Sequence, residues 1–252
     1  MAKQESILKF TGNMDGLSFF KNKDGYSARK KGGVSGDRIK NDPKFERTRE
    51  NIEEFGRAAS ASKLLRNALR ATLINTRDSG MTARLTKFFL RVVKTDAVNR
   101  RGKRDVTQGN ITLLKNFEFN HASPLSSTLF AVPQYSLNRD QGNAGATIPA
   151  MIPANQVAWP EGATHCRISS SAVELDFTAN TFVLSSFISD PIEKAAGNVP
   201  ELFIAHNLTP QSTLAIMLTL GLEFFQLMNG ELYPLKNGAF NSLALVEANG
   251  AE

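Results

Sequence analysis

Histidine and cysteine, the side chains that most often hold transition metals, are scarce in this sequence. The histidines are His121, His165 and His206, and Cys166 is the single cysteine, so an intrachain disulfide is impossible. A zinc site needs three or four ligands at workable spacing, and no CxxC, HxH or HExxH pattern occurs. His165 and Cys166 are neighbours on a predicted strand, where adjacent side chains point to opposite faces. We therefore expect ordinary packing or surface roles for them, no metal site and no cofactor.

Glu174 and Asp176 form the one carboxylate pair whose spacing suits chemistry. Residues i and i+2 of a strand share a face, so the pair resembles an acid–base dyad or half a cation site; a solvated strand face is the plainer alternative. The patterns GxSxG, GxxxxGK[ST] and GxGxxG are absent, and Gly33-Val34-Ser35-Gly36 misses the first by one residue. Trp159 is the only tryptophan, a weak basis for carbohydrate binding. The sequence therefore predicts a protein that binds rather than an enzyme, with no catalytic residues.

Basic residues follow one stripe on each of two predicted helices and continue into a basic turn. Helical spacing places each stripe away from the main apolar line of its helix. The stripes and the turn together form the candidate basic interface, which consists of Lys63, Arg66, Arg70, Arg77, Arg84, Lys87, Arg91, Lys94, Arg100, Arg101, Lys103 and Arg104.

The distribution of charge leaves three explanations for these stripes open. Residues 1–116 hold 26 Lys+Arg and 12 Asp+Glu, whereas residues 117–252 hold 4 and 12, so a net charge of +14 faces one of −8. The stripes could neutralise nucleic-acid phosphates, dock on an acidic protein surface such as the other half of this chain, or simply be solvated. Single-strand binders stack nucleobases on aromatic side chains, but aromatic residues are poorly placed among the Lys and Arg residues of these stripes.

The first 36 residues predict a β-meander arm followed by a glycine joint. Three short apolar runs, Ile7–Phe10, Leu17–Phe20 and Tyr26–Ala28, are separated by turn residues that include two Asp-Gly pairs. A sheet of this size is only marginally stable on its own. It therefore either adds its strands to a neighbouring subunit or folds back on its own helices. The candidate arm interface consists of Phe10, Leu17, Phe19, Phe20 and Tyr26.

Residues 37–115 predict a basic two-helix region. Asp42 is a natural N-cap with Pro43 behind it, and an apolar face recurs at helical spacing to about Thr76. A second helix follows from about Met81 to Val98, and the short connection between the two favours an antiparallel hairpin.

Residues 116–252 predict an acidic antiparallel β-sandwich. At least seven short strands alternate with Pro, Gly and Asn, and Asn229-Gly230 is the strongest hairpin signal in the chain. This pattern is typical of an immunoglobulin-like architecture without its disulfide. The fold class is therefore α+β, with the meander arm in 1–36, the helix hairpin in 37–115 and the sandwich in 116–252.

Several segments resemble a family of uncharacterised proteins common in Bacteroidetes genomes. The resemblance implies a bacterial origin and transfers no site residues. It rests on Gly16–Phe20, Asp24–Gly33, Arg38–Ile39, Asp42–Asn51 and Glu54–Arg57, and on the stretch that runs from Gly221–Phe225 to Tyr233–Gly238.

These features predict a structural protein whose main partner is another copy of itself. The basic half of one subunit would meet the acidic half of the next, and the arm would secure the contact in a ring, tube, filament or shell. The alternative is a nucleic-acid-associated protein, such as a chromosome or virion component. An early acid and the lack of an apolar run after Met1 lead us to expect no secretory signal, and the longest strongly apolar stretch, around Leu214 to Leu222, is too short to span a bilayer. We expect a cytoplasmic protein when made, with non-Sec release or incorporation into a larger particle left open.

Overall fold

A computed structural model describes residues 2–30, 32–76 and 78–250, without the side chains of Lys236 and Asn237. The chain divides into two compact units, Met1–Arg49 and Glu50–Glu252. The described residues combine helices with antiparallel sheets, which confirms the α+β class. The three-part division of the chain stays a prediction.

The first unit contains a four-stranded antiparallel sheet in the order β1-β4-β3-β2. Its two-residue turns are Asp15-Gly16, both at positive φ, and Lys23-Asp24, which precedes Gly25 at positive φ. The hairpins expected at the two Asp-Gly pairs are therefore confirmed. The strands are β1 Ala2–Lys3, β2 Gly12–Met14, β3 Leu17–Asn22 and β4 Gly25–Lys30.

The predicted first strand of the meander, Ile7–Phe10, is wrong. This run is a loop, because the side-chain amide of Gln4 takes up the backbone groups of Phe10: Nε2 donates to the carbonyl over 3.1 Å and Oε1 accepts from the N–H over 2.8 Å. Those backbone groups would otherwise pair in a sheet. The sheet recruits Ala2–Lys3 and Gly12–Met14 as its edges instead.

The long helix expected from Asp42 to about Thr76 is divided into shorter pieces. Asp42 caps as predicted, since its side chain accepts from the N–H of Lys44 with Pro43 in the first turn. A 3₁₀ turn Pro43–Phe45 follows, and Leu69 separates the next two helices. The helices of this region are α1 Gly36–Asn41, α2 Glu46–Ala68, α3 Arg70–Thr76 and α4 Met81–Lys94.

In the described part of the second unit, ten strands form a seven-stranded and a three-stranded antiparallel sheet. The larger sheet has the order β10-β8-β12-β14-β5, with β9 beside β8 and β13 beside β12, and the smaller has the order β11-β7-β6. The remaining strands are β5 Phe117–Glu118, β6 Gln134–Asn138, β7 Asn143–Ile148, β8 His165–Asp176, β9 Thr181–Ile188, β10 Ile192–Glu193, β11 Leu202–Asn207, β12 Ala215–Met228, β13 Glu231–Pro234 and β14 Ser242–Asn249. The remaining helices are α5 Leu125–Thr128 and α6 Pro153–Gln156, with 3₁₀ turns at Ile111–Leu114 and Leu235–Gly238.

The seven-stranded sheet carries a core on each face. On one face, Val173 and Met217 pack against α2, α3 and α4 through residues such as Phe89. On the other, Ile168 and Leu218 pack in a cluster that includes residues of β7 and β11. Because β12 is covered on both sides, Ala215–Leu222 is buried throughout and reads as a continuous apolar run rather than an alternating one.

Candidate interaction sites

The basic turn that ends the helical region is neutralised within its own unit. Glu54 is buried, its Oε1 accepts from the backbone N–H of Gly102 over 2.8 Å, and it lies 3.6 Å from Nε of Arg104. Arg101 and Lys103 pair with neighbouring acids of α2 in the same way. These three cations, which we placed in the candidate basic interface, therefore hold the turn against α2.

Arg84 also has partners inside the fold. Its guanidinium pairs with Asp78 and donates to the backbone carbonyl of Glu118, and it lies over the ring of Phe117 with 5.9 Å between guanidinium carbon and ring centroid. Half-buried in this setting, Arg84 joins the start of α4 to β5 rather than facing a partner.

The remaining cations of the candidate basic interface are mostly free of acids. Within the described residues, those that are exposed and make no ion pair are Lys63, Arg70, Lys87, Arg91, Lys94 and Arg100. Arg66 is half-buried, and Arg77 lies outside the described residues. Lys87, Arg91 and Lys94 fall at i, i+4 and i+7 of α4 and so share one face. Half of the predicted interface is therefore available to a partner.

Glu174 and Asp176 have separate hydrogen-bond partners. Glu174 is fully buried, and its two carboxylate oxygens accept from the N–H and the hydroxyl of Thr209 over 3.1 and 2.7 Å. Asp176 caps the turn after β8 by accepting from the N–H groups of Thr178 and Ala179. The solvated strand face is wrong for Glu174, which is buried, and each carboxylate anchors backbone.

The histidine that sits beside serines is arranged for packing. His206 is buried, with Nε2 2.9 Å from Oγ of Ser170 and Nδ1 3.1 Å from Oγ of Ser185. Since Ser170 gives its own proton to the carbonyl of Thr219, it accepts from Nε2 of His206. Burial lowers the pKa of His206. A nucleophile would instead need to give its proton to the imidazole.

Cys166 and His165 play separate parts, as strand geometry predicts. Cys166 is fully buried on β8, and burial raises the pKa of its thiol to about 12. The imidazole of His165 lies 2.9 Å from the hydroxyl of Thr164. Among residues 2–30, 32–76 and 78–250, no three His, Cys, Asp or Glu side chains are placed to share a metal ion.

Glu118 is a titratable group that the sequence pattern did not single out. It lies on the wall of a cavity of about 370 Å³ beside Tyr135, and both of its carboxylate oxygens face the N–H of Leu125 at 3.1 and 3.2 Å. Burial raises the pKa of Glu118 to about 7, against the opposing effect of the Leu125 N–H. The sequence signal that could have identified it is its position as a single acid between two aromatic residues, Phe117 and Phe119.

The candidate arm interface is only partly exposed. Phe10 and Leu17 are exposed, whereas the aromatic residues Phe19, Phe20 and Tyr26 are half-buried within the small sheet. The rings of Phe10 and Phe19 lie in tilted contact, with 6.1 Å between their centroids, and the other two rings lie beneath cations of the same sheet. The more exposed apolar residues of this unit are Ile7 and Leu8, which we had placed in a strand.

Comparisons with protein-family models, with curated proteins and with solved structures found no match for this chain. The resemblance to the Bacteroidetes family therefore stays a prediction. In the part of the chain that the structure describes, no helix has both the length and the apolar character needed to cross a bilayer.

Proposed function

We propose that this protein is a structural subunit that assembles with copies of itself, and that residues 2–49 join one copy to the next. One observation carries the proposal: the described residues of this unit contain no buried apolar side chain. Ser27 is their only buried residue. A four-stranded sheet without an apolar core does not offset the conformational entropy of ordering its chain. The unit therefore needs a surface to cover it.

Its exposed apolar side chains are the area available for burial. The side chains of Ile7, Leu8 and Met14 are 101%, 70% and 58% exposed, and those of Phe10 and Leu17 are 48% and 41% exposed. Burying a side chain of this size on a partner stabilises the contact by about 1.5–3 kcal/mol. The two edge strands, β1 and β2, are only two and three residues long, so side chains rather than strand pairing supply most of this contact.

Charge favours the acidic half of another copy as the partner. Residues 1–49 hold 12 Lys+Arg and 6 Asp+Glu, whereas residues 117–252 hold 4 and 12. Opposite potentials steer encounter and suppress incorrect partners. Because donor and acceptor surfaces differ, the contact is head-to-tail and generates a ring, or an open filament, tube or shell. We also propose that the two packed sheets of the second unit have an immunoglobulin-like arrangement.

Light scattering coupled to size exclusion, with negative-stain microscopy of the same fractions, tests this proposal. The full-length protein is expected to form large species in low salt and smaller ones in high salt. Leu17→Asp, which charges an exposed arm position, is expected to shift the protein towards monomer. Val98→Asp, at a residue 75% exposed in the other unit, is the matched control and should leave assembly unchanged. A strictly monomeric profile in low salt, without particles, contradicts the proposal.

A nucleic-acid role remains the second candidate, on the strength of the α4 face. Lys87, Arg91 and Lys94 are exposed there without an acidic partner among the described residues. Three aligned cations can follow a phosphate backbone. Self-assembly and nucleic-acid binding are compatible, since the shell of a virion does both.

A further inference from the structure

The loop between β1 and β2 presents two apolar side chains at a fixed tip. Besides its two hydrogen bonds with Phe10, Gln4 accepts from the Lys9 ammonium through its backbone carbonyl, and the hydroxyl of Ser6 donates to the carbonyl of Leu8 over 2.6 Å. These bonds close the loop across its base. Ile7, fully exposed, and Leu8, 70% exposed, stand at the tip. Such apolar side chains on a preformed loop are suited to insertion into a concave partner.

A cavity of about 540 Å³ in the second unit has the complementary shape and chemistry. Ile148 and Leu202, a facing pair on β7 and β11, form one wall, and Ile168 and Phe187 of the larger sheet form the other. Ile188 stands at the mouth, 65% exposed. The volume falls within the range of about 300–1,000 Å³ that is usual for binding pockets.

The mouth of this cavity is acidic. Asp190, Glu193 and Glu201 line it, all three are exposed, and no lysine or arginine lines it with them. None of the three makes an ion pair within the described residues. Lys194, next along the chain, is directed over the Trp159 ring instead. An apolar floor with an acidic rim selects an occupant that is apolar at its tip and cationic beside it.

The arm has that composition. Lys9 adjoins the tip, and residues 2–30 hold six Lys+Arg against three Asp+Glu.

We propose that the Ile7–Leu8 tip of one copy inserts into the cavity lined by Ile168 and Phe187 of the next copy, with Lys9 facing its acidic mouth. This inference rests on the proposed self-assembly and names the contact that produces it. A tip and a cavity on every copy make the contact repeat from one subunit to the next.

Two variants that block opposite sides of the contact test it. Ile7→Asp removes the apolar tip, and Ile188→Glu places a charge at the mouth of the cavity. Both positions are exposed, so the thermal stability of each variant should stay close to that of the unmodified protein. Each substitution is expected to weaken association about 100-fold, as loss of an interface hot spot does. Val98→Asp again serves as the control.

Mixing the two variants separates this contact from any other. The Ile7→Asp chain keeps its cavity and the Ile188→Glu chain keeps its tip, so the mixture has one working contact and should form a heterodimer and nothing larger. If the unmodified protein assembles but either variant assembles equally well, or the mixture stays monomeric, the tip–cavity contact is wrong while self-assembly stands. If the unmodified protein is monomeric at every concentration, both proposals fail.

Cysteine cross-linking gives a second readout that does not depend on destabilising the contact. The one native cysteine, Cys166, is fully buried and should not react. A chain carrying Ile7→Cys, mixed with a differently tagged chain carrying Ile188→Cys, should give a mixed disulfide dimer on oxidation. Replacing Ile188→Cys by Val98→Cys should abolish that band. In a chain that carries both substitutions, an exclusively intrachain disulfide contradicts the proposal, because the tip would then occupy its own cavity.

Discussion

Asp78 and Arg84 form a two-pronged ion pair. Nη1 of Arg84 donates to Oδ1 of Asp78 over 2.8 Å, and Nη2 lies 2.7 Å from Oδ2. The same carboxylate accepts from the backbone N–H groups of Gly80 and His121 over 2.7 and 2.9 Å. The hydrogen bond from Arg84 is the main cause of the lowered pKa of Asp78. The pair thus joins the start of α4 to the segment that follows β5.

Arg84→Ala is therefore expected to destabilise the fold. Removal of the guanidinium takes the charged donor from the carboxylate of Asp78, which keeps only backbone N–H donors, and one donor each from the carbonyls of Glu118 and Phe119. A charge-assisted bond of this kind contributes about 2 kcal/mol. Urea denaturation should show the loss in the free energy of unfolding. Lys87→Ala, on the same helix but exposed, should change it by less than about 0.5 kcal/mol, and equal losses for both variants would contradict the role assigned to Arg84.

The stability of the protein should depend on Glu118 in a pH-dependent way. Its pKa rises from 4.5 to about 7 on folding, so the folded state holds the proton more tightly than the unfolded state. Its contribution is therefore most favourable below about pH 4.5 and is lost as pH rises to about 7. Glu118→Gln should raise the Tm at pH 8 by about 2–4 °C, a change on the order of 1 kcal/mol after allowance for solvent screening.

The pH series itself provides the control for this prediction. At about pH 3 the carboxyl is protonated in both the folded and the unfolded state, so Glu118→Gln should leave the Tm nearly unchanged there. A benefit of the same size at about pH 3 and at about pH 8 would show that charge is not the cause.

Asp96 should act in the opposite direction, at lower pH. Burial alone would raise the pKa of this carboxyl, but hydrogen bonds from Asn99, Asp105 and Val98 lower it from 3.8 to about 2. The stabilisation it provides is present above about pH 3.8 and is lost as pH falls through about 2. Asp96→Asn replaces Oδ2, which accepts from Asp105 and Asn99, by a donor. It should cost about 1–3 kcal/mol at pH 7.

Thermal unfolding between pH 2 and pH 7 measures this effect. The difference between the Asp96→Asn variant and the unmodified protein should shrink as the pH approaches 2, because about half of the native aspartate is then protonated and has lost its charge. A difference that does not vary with pH would contradict the assignment.

The nucleic-acid alternative can be decided on the exposed face of α4. Replacing Lys87, Arg91 and Lys94 together by Glu should abolish any binding to a labelled 30-base-pair DNA duplex, provided that thermal unfolding shows the variant to be folded at the assay temperature. In the unmodified protein, such binding should fall steeply as salt rises, with the logarithmic slope of about −0.9 per phosphate neutralised. Arg101→Ala should weaken binding little, since Glu50 already neutralises that cation. Binding that survives the triple substitution would exclude this face.

Local sequence patterns predicted the elements whose signals are short-range. The Asn229-Gly230 hairpin is present with both residues at positive φ, and Leu85, Phe89 and Val92 of α4 are fully buried, as their spacing indicates. The sequence pattern predicts four separate strands at 165–170, 172–177, 213–220 and 222–228, and these merge into two, β8 and β12. Ser171 and Gly221, which separate these predicted strands, lie in closely packed strand interiors instead: a Cβ at Gly221 would stand 2.7 Å from the carbonyl oxygen of Ser242.

Contacts between residues distant in sequence could not be predicted. Ile52 and Phe55 continue the apolar face of α2 in sequence but are more than half exposed. Arg101 and Glu50 are fifty-one positions apart, so the neutralisation of the basic turn has no local signature. The apolar run Ile7–Phe10 has the composition of a strand and becomes a loop because a single glutamine side chain competes for its backbone.

The tip of Ile7 and Leu8 and the cavity beside Ile188 belong to different units of the chain. In a row of copies joined through them, the subunit at one terminus displays an empty cavity and the subunit at the other displays an uncovered tip. Such a row has polarity. Its two termini would add subunits at different rates. An excess of isolated tips would cap the terminus with the empty cavity, and an excess of isolated cavities would cap the other, while the uncapped terminus continued to grow.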